Sequence, residues 1–477
     1  MKSPILGSSY VARSVNAADN RMVNLFPEVI PEGGKEPAFL SRCPGLTLMQ
    51  TVGSGPIRGM WQVGLYLYVA SGNEMYVVDW NYAATKIGDI SGSPGIVSMA
   101  DNGLQLFVAC NGPSYIVNTN TNVVTQITDT DFPGAVTVGY LDGFFVFNEP
   151  ESQKLWVTSL FDGTQISPLD FASAEGAPDR VVGIIVDHKE LWVFGESTTE
   201  VWYNAGIVGF PFLPVQGAFS EIGCASPYSI AKMDNTVFWL SRDARGQGIV
   251  YKAKGYVGER ISTHAVEWQI QQYGDLSSAQ AYTYQQDGHS FYVLTFPQGT
   301  WVYDAATGAW HERAGWDGTA FTRHRGNCQV FYDRTGGLSG DILIGDCQFG
   351  RVYKFDLNVY ADNFQPQKWL RSWRALPPGA NNLKRSAHHS LQLDCEAGGA
   401  VDVNPQVALR FSDDGGHTWS NSRSLSLGTA GEYGKRVIWR RLGMTTKLRD
   451  RVYEISGTDA AKISILGAEL DMSPTNA

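Results

Sequence analysis

Apolar positions in this chain fall in short runs separated by Gly, Asn, Asp and Ser, and one two-run unit recurs along most of its length. In LYLYVASGNEMYVVDW from Leu65 and LQLFVACNGPSYIVN from Leu104, an aromatic and β-branched run leads through a polar turn into a second such run. That composition predicts β-hairpins. Further copies begin at Gly143 (GFFVFNEPESQKLWVTS), Glu190 (ELWVFGESTTEVWYN), Thr236 (TVFWLSRDARGQGIVYKA), Ser290 (SFYVLTFPQGTWVYD) and Asp341 (DILIGDCQFGRVYKFD). Their spacing starts near 39 residues and stretches to about 50, which suits a four-stranded propeller blade and no helical repeat.

Most hairpins are preceded by another strand-like run ending in a polar turn, as in Ile57 to Gly64, Ile96 to Gly103, Ala135 to Gly143, Val181 to Lys189 and Ala281 to Gly288. Each unit therefore reads as an inner strand, a tight Asp/Asn/Gly turn and a central hairpin. The expected fold is all-β, a propeller of about seven blades with six possible, over residues 53–357. Residues 1–52 lack the period and carry Pro and Gly in NLFPEVIPEGGKEPAF, which predicts an extended N-terminal docking arm. Beyond 357 the hairpin repeat stops and new strands begin at HHSLQLDCEAG, PQVALRFSDDGGHTW, KRVIWRRLG, RVYEISG and KISILGAELD. Residues 358–477 are expected to form an antiparallel β-sandwich-like domain.

Composition narrows the function more than the fold. The formal charge of −10 excludes binding by wrapping phosphates, which needs a large excess of Lys and Arg. Six cysteines stand singly with no CxxC pair, the pattern of free thiols in a reducing compartment. The N-terminal stretch lacks an apolar run of signal-peptide length, and no run of about 18 apolar residues occurs. Synthesis in cytosol-like solvent without membrane insertion is the expectation.

Several motifs could carry chemistry. Ser412, Asp414, Gly416, Thr418 and Trp419 fit the Asp-box pattern S-x-D-x-G-x-T-W, in which the carboxylate binds turn amides, the glycine permits positive φ and the tryptophan packs beneath. Asp-boxes are common in sialidase-type propellers, but this chain has one, outside the blades and without an Arg-Ile-Pro segment, so it reads as a structural turn. Asp101, Asp142, Asp187, Asp234 and Asp287 could supply paired carboxylates for glycoside cleavage, yet all fall at turns where Asp is a turn former. His324, Cys328 and Cys347 are the best metal candidates, but Arg323 and Arg325 flank them and the spacing matches no zinc motif. His388 and His389 are adjacent in a strand-like run and so point to opposite faces. GSGPIRG from Gly53 has neither dinucleotide-loop nor P-loop spacing, and no GxSxG elbow occurs. No catalytic residue, metal site or cofactor is expected.

The remaining cluster is basic and aromatic: Lys435, Arg436, Trp439, Arg440 and Arg441, followed by Lys447, Arg449 and Arg451. As an alternating strand it would place Val437, Trp439 and Arg441 on one face and Arg436, Ile438 and Arg440 on the other. That pattern serves either as a charge-defended sheet edge or as an interface with an acidic neighbour or DNA phosphate.

The two ends also carry a resemblance. SVNAADNRMVNLFPEVIP, FLSRCPGLTLMQ and GPIRGM at the start, and GKRVIWRRLGMTTKLRDRVYEISGTDAAKISILGAELD at the end, resemble the packaged-DNA stabilisation proteins, the tail-hub or nozzle subunits of short-tailed phages. The K-R-V-x-W-x-R-x-G core falls at Lys435, Arg436, Val437, Trp439, Arg441 and Gly443, and GESTTEVWYNAG (195–206) is similar to a further family segment. The resemblance implies a structural virion protein whose six copies form a ring below the portal and its adaptor. Such a ring continues the DNA channel, closes the packaged head and anchors a tail fibre, tailspike, plug or needle, with DNA passing without sequence-specific binding. Two other readings are a glycan-binding or glycan-hydrolysing propeller, from the lone Asp-box, and a scaffold propeller that takes peptides on its top face.

Overall fold

The protein is described by a computed structural model over residues 1–13, 19–174, 176–336, 340–377, 385–401, 403–446 and 451–475. Each of the seven predicted hairpins is the middle pair of a four-stranded antiparallel blade. Blades 1 to 6 span residues 57–89, 98–126, 138–173, 181–220, 231–260 and 280–316. Blade 7 takes three strands from 326–356 and its fourth from the N-terminal strand Gly45–Thr51. The turns after the inner strands follow from their residues. Asp142, Asp234 and Asp287 have φ of 48°, 49° and 50°, and Gly143, Asn235 and Gly288 follow at positive φ, the left-handed pair that a tight hairpin needs.

Burial explains the circular arrangement. Alternate side chains of a blade leave both faces apolar, so each blade must pack against two neighbours. Seven hydrophobic clusters lie between successive blades: Tyr68 and Met75 of blade 1 meet Met99 and Tyr115 of blade 2, and the series continues round the ring. The last cluster closes it, with Tyr332, Leu343 and Val352 of blade 7 against Ile57, Leu67 and Val69 of blade 1. Between blades 5 and 6 the chain forms an α-helix, His264–Tyr273, capped by the Thr263 hydroxyl, which accepts from the Val266 amide. Val266 and Ile270 of that helix fill the gap between the two blades.

The sandwich is built from both ends of the chain. One sheet runs Val437–Met444, Ser386–Cys395, Ser464–Pro474, Ala38–Arg42 and Leu25–Val29, with Lys2–Ser3 added beside Ser464–Pro474. The other contains Trp369–Arg374, Val452–Gly457, Gln406–Ser412 and Arg423–Ser426. Trp369, Trp373, Leu391, Trp439, Tyr453 and Ile455 pack between them, together with Ile5, Met22, Leu25 and Leu40.

The described part of residues 1–52 lies along the chain's own sheets. An exposed sheet edge is an open hydrogen-bonding template, and these strands cover several. Met22–Val23 pairs with Trp369–Arg374 on one side and with blade 6 at Glu312 on the other, joining propeller to sandwich in one continuous sheet.

Candidate interface and channel

Several of the described residues quoted for the family resemblance are buried pins between distant segments. Asn24, fully buried at φ 54°, donates to the carbonyls of Ala314 at 2.9 Å and Lys368 at 2.7 Å and accepts from the Ala314 amide. Arg21 grips Glu312 of blade 6 through Nε and Nη2 at 3.0 and 2.8 Å. Arg42, 3% exposed, donates to the carbonyls of Tyr360, Gln367, Asp459 and Ala461. A guanidinium carries five donors in a rigid fork, so one side chain can gather carbonyls from several strands.

GSGPIRG is the seam where the ring closes. Gly55 has φ 79°, and a Cβ there would lie 2.0 Å from the Phe349 carbonyl carbon, so the close approach of blade 7 requires glycine. The Gly350 amide donates to the Ser54 carbonyl at 3.0 Å, and Arg58 donates to the carbonyls of Gly72, Ser91 and Gly95. The similar segment 195–206 begins in the central hairpin of blade 4, where Asp179 accepts from the Ser197 and Thr198 amides at 2.7 and 3.0 Å.

The basic strand Val437–Met444 is an edge of its sheet. Trp439 differs from its expected place in an interface stripe: it is 3% exposed, belongs to the sandwich core and donates through Nε1 to the Arg423 carbonyl. Arg441 does not share its face either. The register against Ser386–Cys395 slips between His388 and Ser390, Arg441 takes φ 56°, and Leu442 turns inward instead. Such a bulge leaves one residue extra and re-aims those after it. Arg440 and Arg441 are consequently both exposed, as are Lys435 and Arg436. Lys435 contacts Ser426 and Glu432, and Arg436 donates to Gln392. The carbonyls of 440, 441, 442 and 444 accept from Arg423 and Arg451. This edge is thus capped by guanidiniums and flanked by charge. Lys447 and Arg449 lie outside the described residues.

The Asp-box forms a closed turn. Asp414 accepts from the Ser412 hydroxyl at 2.6 Å, the Thr418 amide at 2.8 Å and the Thr418 hydroxyl at 2.6 Å. These donors hold its carboxyl well below the usual carboxylate range. Gly416 has φ 102° and its amide donates to Ser412 Oγ, while Trp419 stacks under Arg410 at 4.6 Å. The neighbouring Asp413 binds Arg451 through both oxygens at 2.6 and 2.7 Å. Both oxygens of Asp414 are used in folding the hairpin.

Asp101, Asp142, Asp187, Asp234 and Asp287 all terminate inner strands or their turns, at one end of the propeller. Three of them brace neighbouring blades: Asp101 accepts from Trp61 Nε1 at 2.8 Å, Asp142 from Asn204 at 3.1 Å and Asp234 from Ser290 at 2.6 Å. The inner strands enclose a central cavity of about 530 Å³, lined by Met60, Val97, Ile184, Tyr228 and Tyr282 among others. His324 is buried beside Arg313, Arg323 and Arg325, and burial with those charges keeps its imidazole neutral. Among the described residues no group of three or more His, Cys, Asp or Glu could hold a metal ion. His388 is buried against Tyr453 at 2.7 Å while His389 is exposed against Ser473. No helix among the described residues is long and apolar enough to cross a membrane.

A closed seven-bladed propeller tied by its own N-terminal strands to a β-sandwich defines an all-β protein of two joined parts. The chain belongs to the bacteriophage P22 Gp10 family: the family's β-propeller model matches residues 1–360 and its β-sandwich model residues 369–473. It is a phage structural protein. No curated protein matches it in sequence. Solved structures similar to it include the N-terminal domain of Nup159, at 11% identity and TM-score 0.43, covering 69% of this chain and 97% of that one. The extracellular domain of the putative one component system BT4673 from B. thetaiotaomicron is also similar, at 12% identity and TM-score 0.44, covering 70% of this chain and 46% of that one.

Proposed function

We propose that copies of this chain form the ring of a phage tail hub or nozzle, below the portal and its adaptor, that extends the DNA channel and retains the packaged genome. The observation that carries this reading is that the family's two parts, propeller then sandwich, together match nearly the whole chain in order. Six copies are taken from the family resemblance, and a ring of any order needs one heterologous contact repeated by rotation. Labour divides between the two parts: the blades of 53–357, closed by Gly45–Thr51, form the channel-side scaffold, and 358–477 with the N-terminal strands in its sheets supply the docking platform. The exposed Lys435, Arg436, Arg440 and Arg441 are the candidate contacts to an acidic neighbour, with a tail fibre, tailspike, plug or needle as the appendage anchored.

The formal charge of −10 supports a lumen on which DNA slides without sticking, since counterion release needs clustered cations. An assembled lumen lined by Arg and Lys would contradict this. The retention role is tested by nuclease protection. DNA-filled phage heads lacking this protein should lose their genome to nuclease and regain protection when purified protein is added. Full protection without it would remove the role.

A further inference from the structure

The arginines that flank His324 open onto a cavity of about 630 Å³ on the face where the inner strands of blades 6, 7 and 1 begin. We infer that this cavity is a binding site for carboxylate side chains of an extended acidic peptide segment from a partner protein. Arg58, Arg323 and Arg325 line it, with Phe296, Trp316 and Pro366 among its apolar walls.

Two of the three charges, Arg58 and Arg323, have no ion-pair partner among the described residues. Arg58, 4% exposed, donates only to backbone carbonyls, and its Nη2 has no partner. Arg323 donates to the neutral amides of Asn327 at 2.9 Å and Gln280 at 3.4 Å, and its Nε has no partner. Among the described residues neither makes an ion pair, in a chain with 47 acidic residues. Arg325 reaches Asp346 only at 3.4 Å. The cavity's own acids do not pair with Arg58 or Arg323: Asp317 is bound by the Thr319 and Ala320 amides of its turn, and Asp362, hydrogen-bonded to Gln367, feels the charges of Arg313, Arg42 and Arg325 instead. A guanidinium with an unpartnered N–H and no counter-charge gains from charge-assisted bonds, which carboxylates supply in pairs.

Peptide is favoured over nucleic acid for two reasons. Aromatic and proline walls suit an extended chain with aliphatic stems. The surrounding protein carries a net charge of −10, which opposes a polyphosphate at long range. The site is independent of ring formation, because a single chain supplies all of its walls.

The test uses the full chain and a fluorescently labelled octaglutamate peptide, followed by anisotropy at low salt. Saturable binding is expected, weakened about tenfold by Arg323→Gln, the loss of one charge-assisted pair. Thr322→Glu, at an exposed position on the cavity wall, places a negative charge at the site without disturbing the core and should weaken binding similarly. Lys254→Gln, at an exposed cation of blade 5 outside the cavity, should leave it unchanged. Absence of saturable binding, or binding indifferent to both cavity substitutions, overturns the proposal. So does tighter binding of a labelled single-stranded oligonucleotide with the same dependence on Arg323, which would assign the site to phosphate.

Discussion

Two buried histidines should make this fold sensitive to mild acid, and His311 gives the cleaner test. It is 1% exposed on the outer strand of blade 6, its Nδ1 has no hydrogen-bond partner, and burial followed by the nearby Arg313 lowers its pKa to about 3. An unfolded histidine titrates near 6.5. Between those values the unfolded state binds a proton that the folded state does not, so stability falls as pH falls through the window. From pH 7 to pH 5 the loss from His311 is about 2 kcal/mol, and His324, also held neutral by burial, acts in the same direction. His289 acts in the opposite sense. Its bond to Asp304 raises its pKa, so it contributes stability below pH 6.5 that is lost as pH rises through its folded value. The assay is urea unfolding of the full chain and of His311→Leu at pH 7 and pH 5. The variant should lose about 2 kcal/mol less than the parent over that interval. Equal losses in the two proteins would refute the assignment of a neutral buried imidazole at 311.

Three further outcomes follow from the packing. Asp413→Ala strands Arg451, 2% exposed, as a buried cation, and should cost about 3–5 kcal/mol by urea unfolding. Leu46→Ala, at a fully buried position of the strand that closes blade 7, should cost about 2–5 kcal/mol. In that variant hydrogen exchange should rise together in 45–51 and 351–356, because the two strands share one ladder. Trp439→Ala should cost about 3–5 kcal/mol, and Arg440→Ala under about 0.5 kcal/mol, a contrast readable from denaturant midpoints.

How much of this was legible from residues alone depended on range. The hairpins at Leu65 through Asp341 were visible because alternation and turn residues are local, and all seven are present. The closing strand Gly45–Thr51 was hidden, since nothing local distinguishes a strand that completes a sheet some 300 residues away from an arm that docks elsewhere. The helix His264–Tyr273 carries a legible signal in Thr263 and Glu267, a cap followed by an acidic first turn, yet its short length leaves the strand-dominated pattern intact. Trp439 read as an interface residue because arginines surround it in sequence. Strand alternation around the bulge at Arg441 buries the tryptophan while those charges face solvent. Arg58 and Arg323 could not be read as neighbours at all, because only ring closure brings blades 6, 7 and 1 together around one cavity.

The ring itself is the central claim, and electron microscopy of the purified full chain with and without a portal-adaptor complex tests it most directly. The account predicts rings seated on the adaptor with the channel continuing through them; single particles that remain separate in both samples would contradict it.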